Sequence, residues 1–283
     1  MDYRKAFRVK PGKTLKLSKI DPAYKGKHRS EAGAKEDTER YIKKLARQQA
    51  LLYADNKHSI LVVLQAMDAG GKDGTIKHVF SSVNPQGVHV ARYNKPTAVE
   101  SAHDFLWRVH PHAPGLGEIA IFNRSHYEDV LVTRVHRLIN KAIWTERYRN
   151  IRDFEALLAE KNTTILKFFL HISKDEQLER FAQRLDDPAR NWKISEADYT
   201  ERSFWDPYVE AYEDAIAATS TPEAPWYVIP SNHKWFRNLA VSQILADTMA
   251  DLDLAFPPPP ANLADVRRKY HLALEQAKGG KKA

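Results

Sequence analysis

Residues 60–75 read ILVVLQAMDAGGKDGT, a short apolar run that stops at a glycine-rich turn. A continuous apolar stretch this short, closed by glycine, has the pattern of a buried strand. Helix-like spacing resumes at Thr75. A strand, a glycine loop and a helix start, in that order, make an anion site. The loop N–H groups converge, the helix N-terminus adds partial positive charge, and Lys72 adds a full one. Ala69, Gly70, Gly71, Asp73, Gly74 and Thr75 are therefore the candidate phosphate-binding positions around Lys72. The spacing departs from the Walker pattern twice. Ala66 replaces the first glycine, and Asp73 stands where Ser or Thr usually holds magnesium.

The remaining pattern predicts alternating elements. Residues 1–34 read as a basic, extended N-terminal arm, and 36–53 as a helix. Strands are expected at 59–64, 88–93, 118–122, 164–172 and 226–229. Helices are expected at 75–83, 98–109, 152–161, 175–185, 195–218, 235–252 and 263–277. Ser125 with Glu128, and Ser195 with Asp198, have the spacing of capping boxes. This alternation implies an α/β fold: a three-layer α/β/α sandwich with a parallel sheet of about five strands. The domain expected is 35–256, with a helical lid at about 180–215. A proline stretch, a last helix and a basic tail fill 257–283. Ligands of such sheets lie beyond the carboxyl ends of the strands. The segments Arg92-Tyr93-Asn94-Lys95 and Asn123-Arg124-Ser125 should therefore meet the Lys72 loop at one edge.

Phosphoryl transfer asks mainly for positioning and charge neutralisation. A carboxylate inside a phosphate loop makes sense when a divalent cation intervenes, so Asp68 is read as a magnesium ligand; an Asx-turn is the alternative. Asp73 is either a further carboxylate or a stabiliser of the helix N-terminus. Arg124 at a strand end suits equatorial phosphoryl oxygens, against a plain surface ion pair. Asn123 before it is a weak metal ligand. Glu128 fits its capping box better than catalysis; Lys95, Asn123, Glu128 and Arg134 are the possible acceptor or rim residues. Arg180 and Arg184 share a helix face, and Lys193, a further candidate phosphate-binding residue, follows in the next basic turn; together they suggest a lid closing on phosphate. Trp107, Trp192, Trp205 and Trp235 read as core, and the histidines show no metal-site spacing.

Composition narrows the classes. A chain of 283 residues can bury a real core. It has no cysteine, which removes disulfides, thiolate zinc sites and cysteine nucleophiles. The N-terminus lacks the apolar core of a secretory signal, and no run approaches a membrane span, so a cytoplasmic protein is expected. The formal charge of +8 suggests a polyanionic partner, or only solubility.

Three segments carry a resemblance. They are Asp68-Ala69-Gly70-Gly71-Lys72-Asp73-Gly74-Thr75-Ile76-Lys77, Phe122-Asn123-Arg124-Ser125-His126-Tyr127-Glu128-Asp129-Val130-Leu131, and Asp187-Pro188 to Trp192-Lys193-Ile194-Ser195. In this order they resemble the polyphosphate kinase 2 family, in a form like its class III subgroup. The resemblance implies a P-loop kinase fold with a helical lid. It implies reversible transfer of the terminal phosphoryl of inorganic polyphosphate to nucleoside mono- and diphosphates such as AMP and ADP, with ATP a product, and Mg²⁺, or Mn²⁺ in its place. By the same resemblance Lys72 and the loop amides meet the phosphates, Asp68 meets the metal, and Arg124 and Arg184 meet phosphoryl groups. Many members have aspartate where this chain has Asn123. A homo-oligomer is expected, with no membrane and no nucleic acid as partner. Two other readings stay open: an ATP-dependent nucleotide or small-molecule kinase on the same fold, and a basic nucleic-acid-binding protein, for which no recognised motif is present.

Overall fold

The computed structural model describes residues 1–259 and 262–279. Its strands are β1 (Ser59–Ala66), β2 (Val88–Arg92), β3 (Ile119–Asn123), β4 (Thr163–His171) and β5 (Trp226–Pro230). Its helices are α1 (Tyr3–Phe7), α2 (Glu31–Asp55), α3 (Lys72–Val79), α4 (Ala98–Ser101), α5 (Glu128–Val135) and α6 (Lys141–Glu160). They continue with α7 (Lys174–Asp186), α8 (Glu196–Ser203), α9 (Trp205–Thr219), α10 (Lys234–Ala250) and α11 (Leu263–Gly279). The strands form one parallel sheet in the order β2-β3-β1-β4-β5.

The central strand β1 is buried along its whole length, as its apolar run from Ile60 to Leu64 requires. Its side chains alternate between two cores. Leu61 and Val63 join Phe122, Ile165 and Phe169 beneath α5, α6 and α9. Ile60, Val62 and Leu64 join Ile121, Phe168 and Leu170 beneath α2 and α10. Each such Leu, Ile or Phe contributes about 1.5–3 kcal/mol by leaving water. In register, Leu64 lies opposite Asn123 on one side and Phe168 on the other. The carboxyl ends of the strands thus come level at one edge.

Four expectations are corrected. Residues 1–34 do not extend freely: Tyr3, Val9, Leu15 and Leu17 are buried, and Val9 N–H donates to Trp226 O at the sheet. Alternating apolar residues among the lysines anchor this segment. The helix expected at 98–109 ends at Ser101, where a capping box at Thr97 starts only one turn. The helix before β4 begins at Lys141, capped by Asn140, well ahead of residue 152. The stretch 195–218 is two helices. Ser195 and Asp198 form their capping box, but the helix breaks at Phe204 and restarts at Trp205. Pro207 has no N–H to carry the bond ladder across that point. The expected last helix is present as α11; Pro260 and residues 280–283 of the proline stretch and basic tail lie outside the described residues.

Candidate active site

The loop between β1 and α3 is shaped by close approach. Ala69 and Gly71 are left-handed, with φ of 59° and 99°. A Cβ on Gly71 would collide with Arg237 Nη1, and one on Gly70 would meet Ala66 Cβ and sit 2.8 Å from Met67 O. The loop carbonyls are pinned from three directions. Gln177 Nε2 donates to Asp68 O at 2.9 Å, Arg180 Nη1 to Ala69 O at 2.9 Å, and the Tyr212 hydroxyl to Ala66 O at 3.2 Å. Lys72 Nζ donates to Ala66 O at 3.1 Å. Burial, then Arg124, push its ammonium pKa down, with Asp68, Glu128 and Asp73 opposing. The Thr75 hydroxyl turns back to Gly71 O at 3.1 Å and does not line the cleft.

Arg124 leaves β3 with φ 63°, a left-handed backbone that costs an L-residue about 1–2 kcal/mol. This turn aims its guanidinium across the edge of the sheet. Nη2 reaches Asp68 Oδ1 at 3.1 Å, and Nη1 lies 3.6 Å from Glu128 Oε2. Those carboxylates, Glu128 foremost, outweigh burial and raise the Arg124 pKa. Glu128 does not form the expected capping box. Tyr127 is the N-cap of α5 without a side-chain bond, and Ser125 Oγ accepts from Gln65 Nε2 and Tyr127 N–H instead. Burial pushes the Glu128 carboxyl up, against Arg124 and Lys72. Its place is opposite the loop, which gives it an electrostatic role rather than a local capping one.

Asp73, first turn of α3, gathers donors. Asn123 Nδ2 reaches Oδ1 at 2.8 Å, Arg92 Nη2 the same oxygen at 3.5 Å, and Lys193 Nζ reaches Oδ2 at 3.1 Å. Burial raises its pKa, but these hydrogen bonds and charges win and hold it below the ordinary aspartate value. Asn123 thus presents its amide nitrogen to Asp73. Arg184 Nη1 donates to Lys193 O at 2.9 Å and lies 3.8 Å from Asp198, tying α7 to the turn before α8. Lys95 lines the same cleft at its outer side. Arg134 does not join it. It is held by Glu210 at 2.7 Å and Asp214 at 2.8 Å, with its guanidinium 4.4 Å from the Trp144 ring centre.

The resulting cleft holds about 730 Å³, and eleven lysine and arginine side chains face three aspartates along its walls. Two of these cations have roles their sequence positions hide. Arg180, expected beside Arg184 on a lid face, is buried instead beneath the loop, bonded to Ala69 O and Glu176. Arg237 on α10 is 2% exposed, and among the described residues its guanidinium donates only to Asn238 Oδ1. Among the described residues it has no carboxylate partner, and burial beside Arg180 takes its pKa down to about 9. The available signal was an arginine between Phe236 and Leu239, inside an otherwise apolar stripe. Trp192, expected in the core, is 76% exposed on the cleft wall. Trp107 is also largely exposed. A second cavity, about 260 Å³, opens on the other side of the Asp68–Arg124 pair, lined by Trp205, Tyr208 and Tyr212.

No cluster of three or more His, Asp or Glu able to hold a metal alone occurs among the described residues. Asp68 offers one partly exposed carboxylate at the loop. A single carboxylate suits Mg²⁺, which keeps waters and shares its shell with substrate phosphates.

A glycine loop with a lysine at a helix start, on the carboxyl edge of a parallel sheet and facing a cationic cleft, places the chain among the phosphoryl-transfer enzymes of P-loop kinase type. Within that class it belongs to the polyphosphate kinase 2 family, whose profile matches residues 27–257. An AMP/ADP-polyphosphate phosphotransferase of Meiothermus ruber is 53% identical over 90% of this chain and 96% of its own length. An ADP-polyphosphate phosphotransferase of Rhodopseudomonas palustris is 43% identical over 96% and 97%. A crystal structure of polyphosphate kinase 2 from Arthrobacter aurescens superposes with a TM-score of 0.92 at 40% identity, covering 97% of each chain.

Proposed function

We propose that this chain transfers the terminal phosphoryl of inorganic polyphosphate to AMP and ADP, reversibly, with Mg²⁺. The observation that carries the reading is the cleft: eleven cations against three aspartates, converging on the Lys72 loop. A mononucleotide has too few charges to need such a surface; a phosphate polymer has one on every unit. The likeness to relatives named for AMP and ADP supports the choice of acceptor.

The chain's own groups divide the work. The loop N–H groups and Lys72 hold the donor phosphates near the transfer point. Arg124 stands where charge spreads over the equatorial oxygens of the moving group, and Arg184 supports it from α7. An acceptor phosphate oxygen attacks the terminal phosphorus while the bridging P–O bond to the polymer breaks. The shortened polymer keeps the released charge, which Lys72 and the cleft cations neutralise. An already ionised acceptor oxygen needs no strong base. Asp68 would hold Mg²⁺, which when bound would supply neutralisation of phosphate charge. The segment from α7 to α8, tied to Asp73 through Lys193, is positioned to exclude water over the cleft.

The test is a change of donor. With AMP as acceptor and Mg²⁺ present, long-chain polyphosphate supports ADP formation. Product from ATP alone as donor, with none from polyphosphate, points instead to an ordinary nucleotide kinase.

A further inference from the structure

A charged network lies behind Arg124 that phosphate chemistry does not need. Lys167 on β4 and Glu155 on α6 are both buried to within 1% and form an ion pair inside the core beneath α6 and α9. The Tyr127 hydroxyl sits 2.9 Å from Lys167 Nζ, from Glu155 Oε1 and from Thr219 Oγ1. Thr219 Oγ1 already accepts from Trp226 Nε1 and donates to Ala215 O. The hydroxyl oxygen accepts from Lys167, and its proton lies within reach of both Glu155 Oε1, the stronger, charged acceptor, and Thr219 Oγ1. His126 Nε2 lies 3.3 Å from the same Glu155 oxygen, and its Nδ1 is buried without a partner. The Nε2–H tautomer directs its donor at Glu155.

Lys167 is flanked on its own face of the sheet by Ile165 and Phe169. Apolar side chains of the same size there would avoid the desolvation of two charges, so an ion pair is a poor device for stability alone. What it fixes is geometry. His126 and Tyr127 directly follow Arg124 and Ser125, and among the described residues their side-chain hydrogen bonds all go to this network. Arg124 is the residue that must be held: its backbone is left-handed, and such a conformation persists only where its surroundings impose it. On the strand side it is held by its own N–H to Leu64 O at 3.2 Å. On the far side Ser125 is held by Gln65 Nε2 at 3.0 Å, and beyond it the tether is Tyr127 and His126.

We propose that the buried Lys167–Glu155 pair, acting through Tyr127 and His126, is the positioning element that aims Arg124 at the transfer point. This rests on Arg124 contacting the transferring phosphoryl, and the test keeps the two claims apart. Tyr127→Phe removes one oxygen and leaves the core packing. In the wild-type background we expect kcat for ADP with polyphosphate to fall about tenfold, with both KM values within about threefold, as small misplacements of a reacting group act on kcat. In an Arg124→Ala background the same substitution should change kcat less than about twofold, because the residue it positions is gone. Equal losses in both backgrounds, or no loss in the wild type, overturn the inference. An Arg124→Ala protein with full activity instead defeats the reading of Arg124 itself. A second variant, Lys167→Met/Glu155→Leu, should unfold no earlier than wild type and show the same loss of kcat. A folded double variant with wild-type kcat also overturns the inference.

Discussion

The Arg124 guanidinium lies 3.1 Å from the Asp68 carboxylate, and this pair is the partition between two cavities. One residue comes from the loop after β1 and the other from the end of β3, strands that neighbour each other in the sheet. Both side chains are partly exposed, so the pair is weak as a stabilising contact. We propose that its value lies in placing a cation and an anion between the two cavities. Arg124→Lys should keep the fold but not the function, since an ammonium cannot span two oxygens as a guanidinium does. We expect kcat to fall by about 10²-fold or more, within the range for a lost transition-state donor. Steady-state kinetics beside a thermal melt check this; a variant within threefold of wild type contradicts it.

Lys72 presents a different test. Its ammonium donates to Ala66 O and, among the described residues, forms no ion pair, so the fold should tolerate its loss. Lys72→Ala should leave the melting temperature within a few degrees of wild type. Turnover should fall about 10²–10³-fold, in line with removal of one charge-stabilising donor. Loss of folding together with activity would assign Lys72 to structure.

Arg237 predicts an opposite pairing of effects. A buried cation without a carboxylate partner costs stability until an anion arrives. Arg237→Met should therefore melt at or above the wild-type temperature while raising KM for polyphosphate about tenfold, the size of one lost charge-assisted contact. Adding polyphosphate should raise the wild-type melting temperature more than that of the variant.

These examples show what was legible in the sequence. The parallel sheet, the phosphate loop and Arg124 were readable because local patterns define them: apolar runs, glycines and strand ends. Arg180 and Arg237 were not seen as loop supports, because each sits in a helix whose rotation is decided by packing against distant residues. Glu128 was misread for a related reason. Its spacing from Ser125 matches a cap, but Gln65 on β1 claims the Ser125 hydroxyl, a contact between residues far apart in the chain. Trp192, an apolar residue expected in the core, stands exposed on the short turn Asn191–Lys193.

Asp73 carries a pH dependence. Its folded pKa is held below the ordinary aspartate value. Its contribution is therefore present above the unfolded pKa of about 3.9 and is lost as pH falls through the lower folded value. Below about pH 4 the link from α3 to Lys193 weakens. Asp73→Asn should loosen residues 187–195 already at neutral pH, read as faster proteolysis or hydrogen exchange there. The acid limb of its stability profile should be shallower than that of wild type. An unchanged limb contradicts the assignment.

The cationic cleft implies counterion release on binding a polymer. Apparent affinity for polyphosphate should fall steeply and log-linearly with salt, with a slope reflecting several displaced ions, while KM for ADP changes little. Inhibition titrations between low and moderate salt measure both; equal slopes for polymer and nucleotide contradict a dedicated polymer cleft.

The most direct measurement follows nucleoside triphosphate appearing from ADP, long-chain polyphosphate and Mg²⁺, with the wild type beside Lys72→Ala. The account predicts ATP at a rate proportional to wild-type enzyme, matched by loss of polymer phosphate, and almost none from the variant. Wild-type enzyme that is folded yet forms no ATP under these conditions contradicts it, as does a Lys72→Ala protein that works equally well.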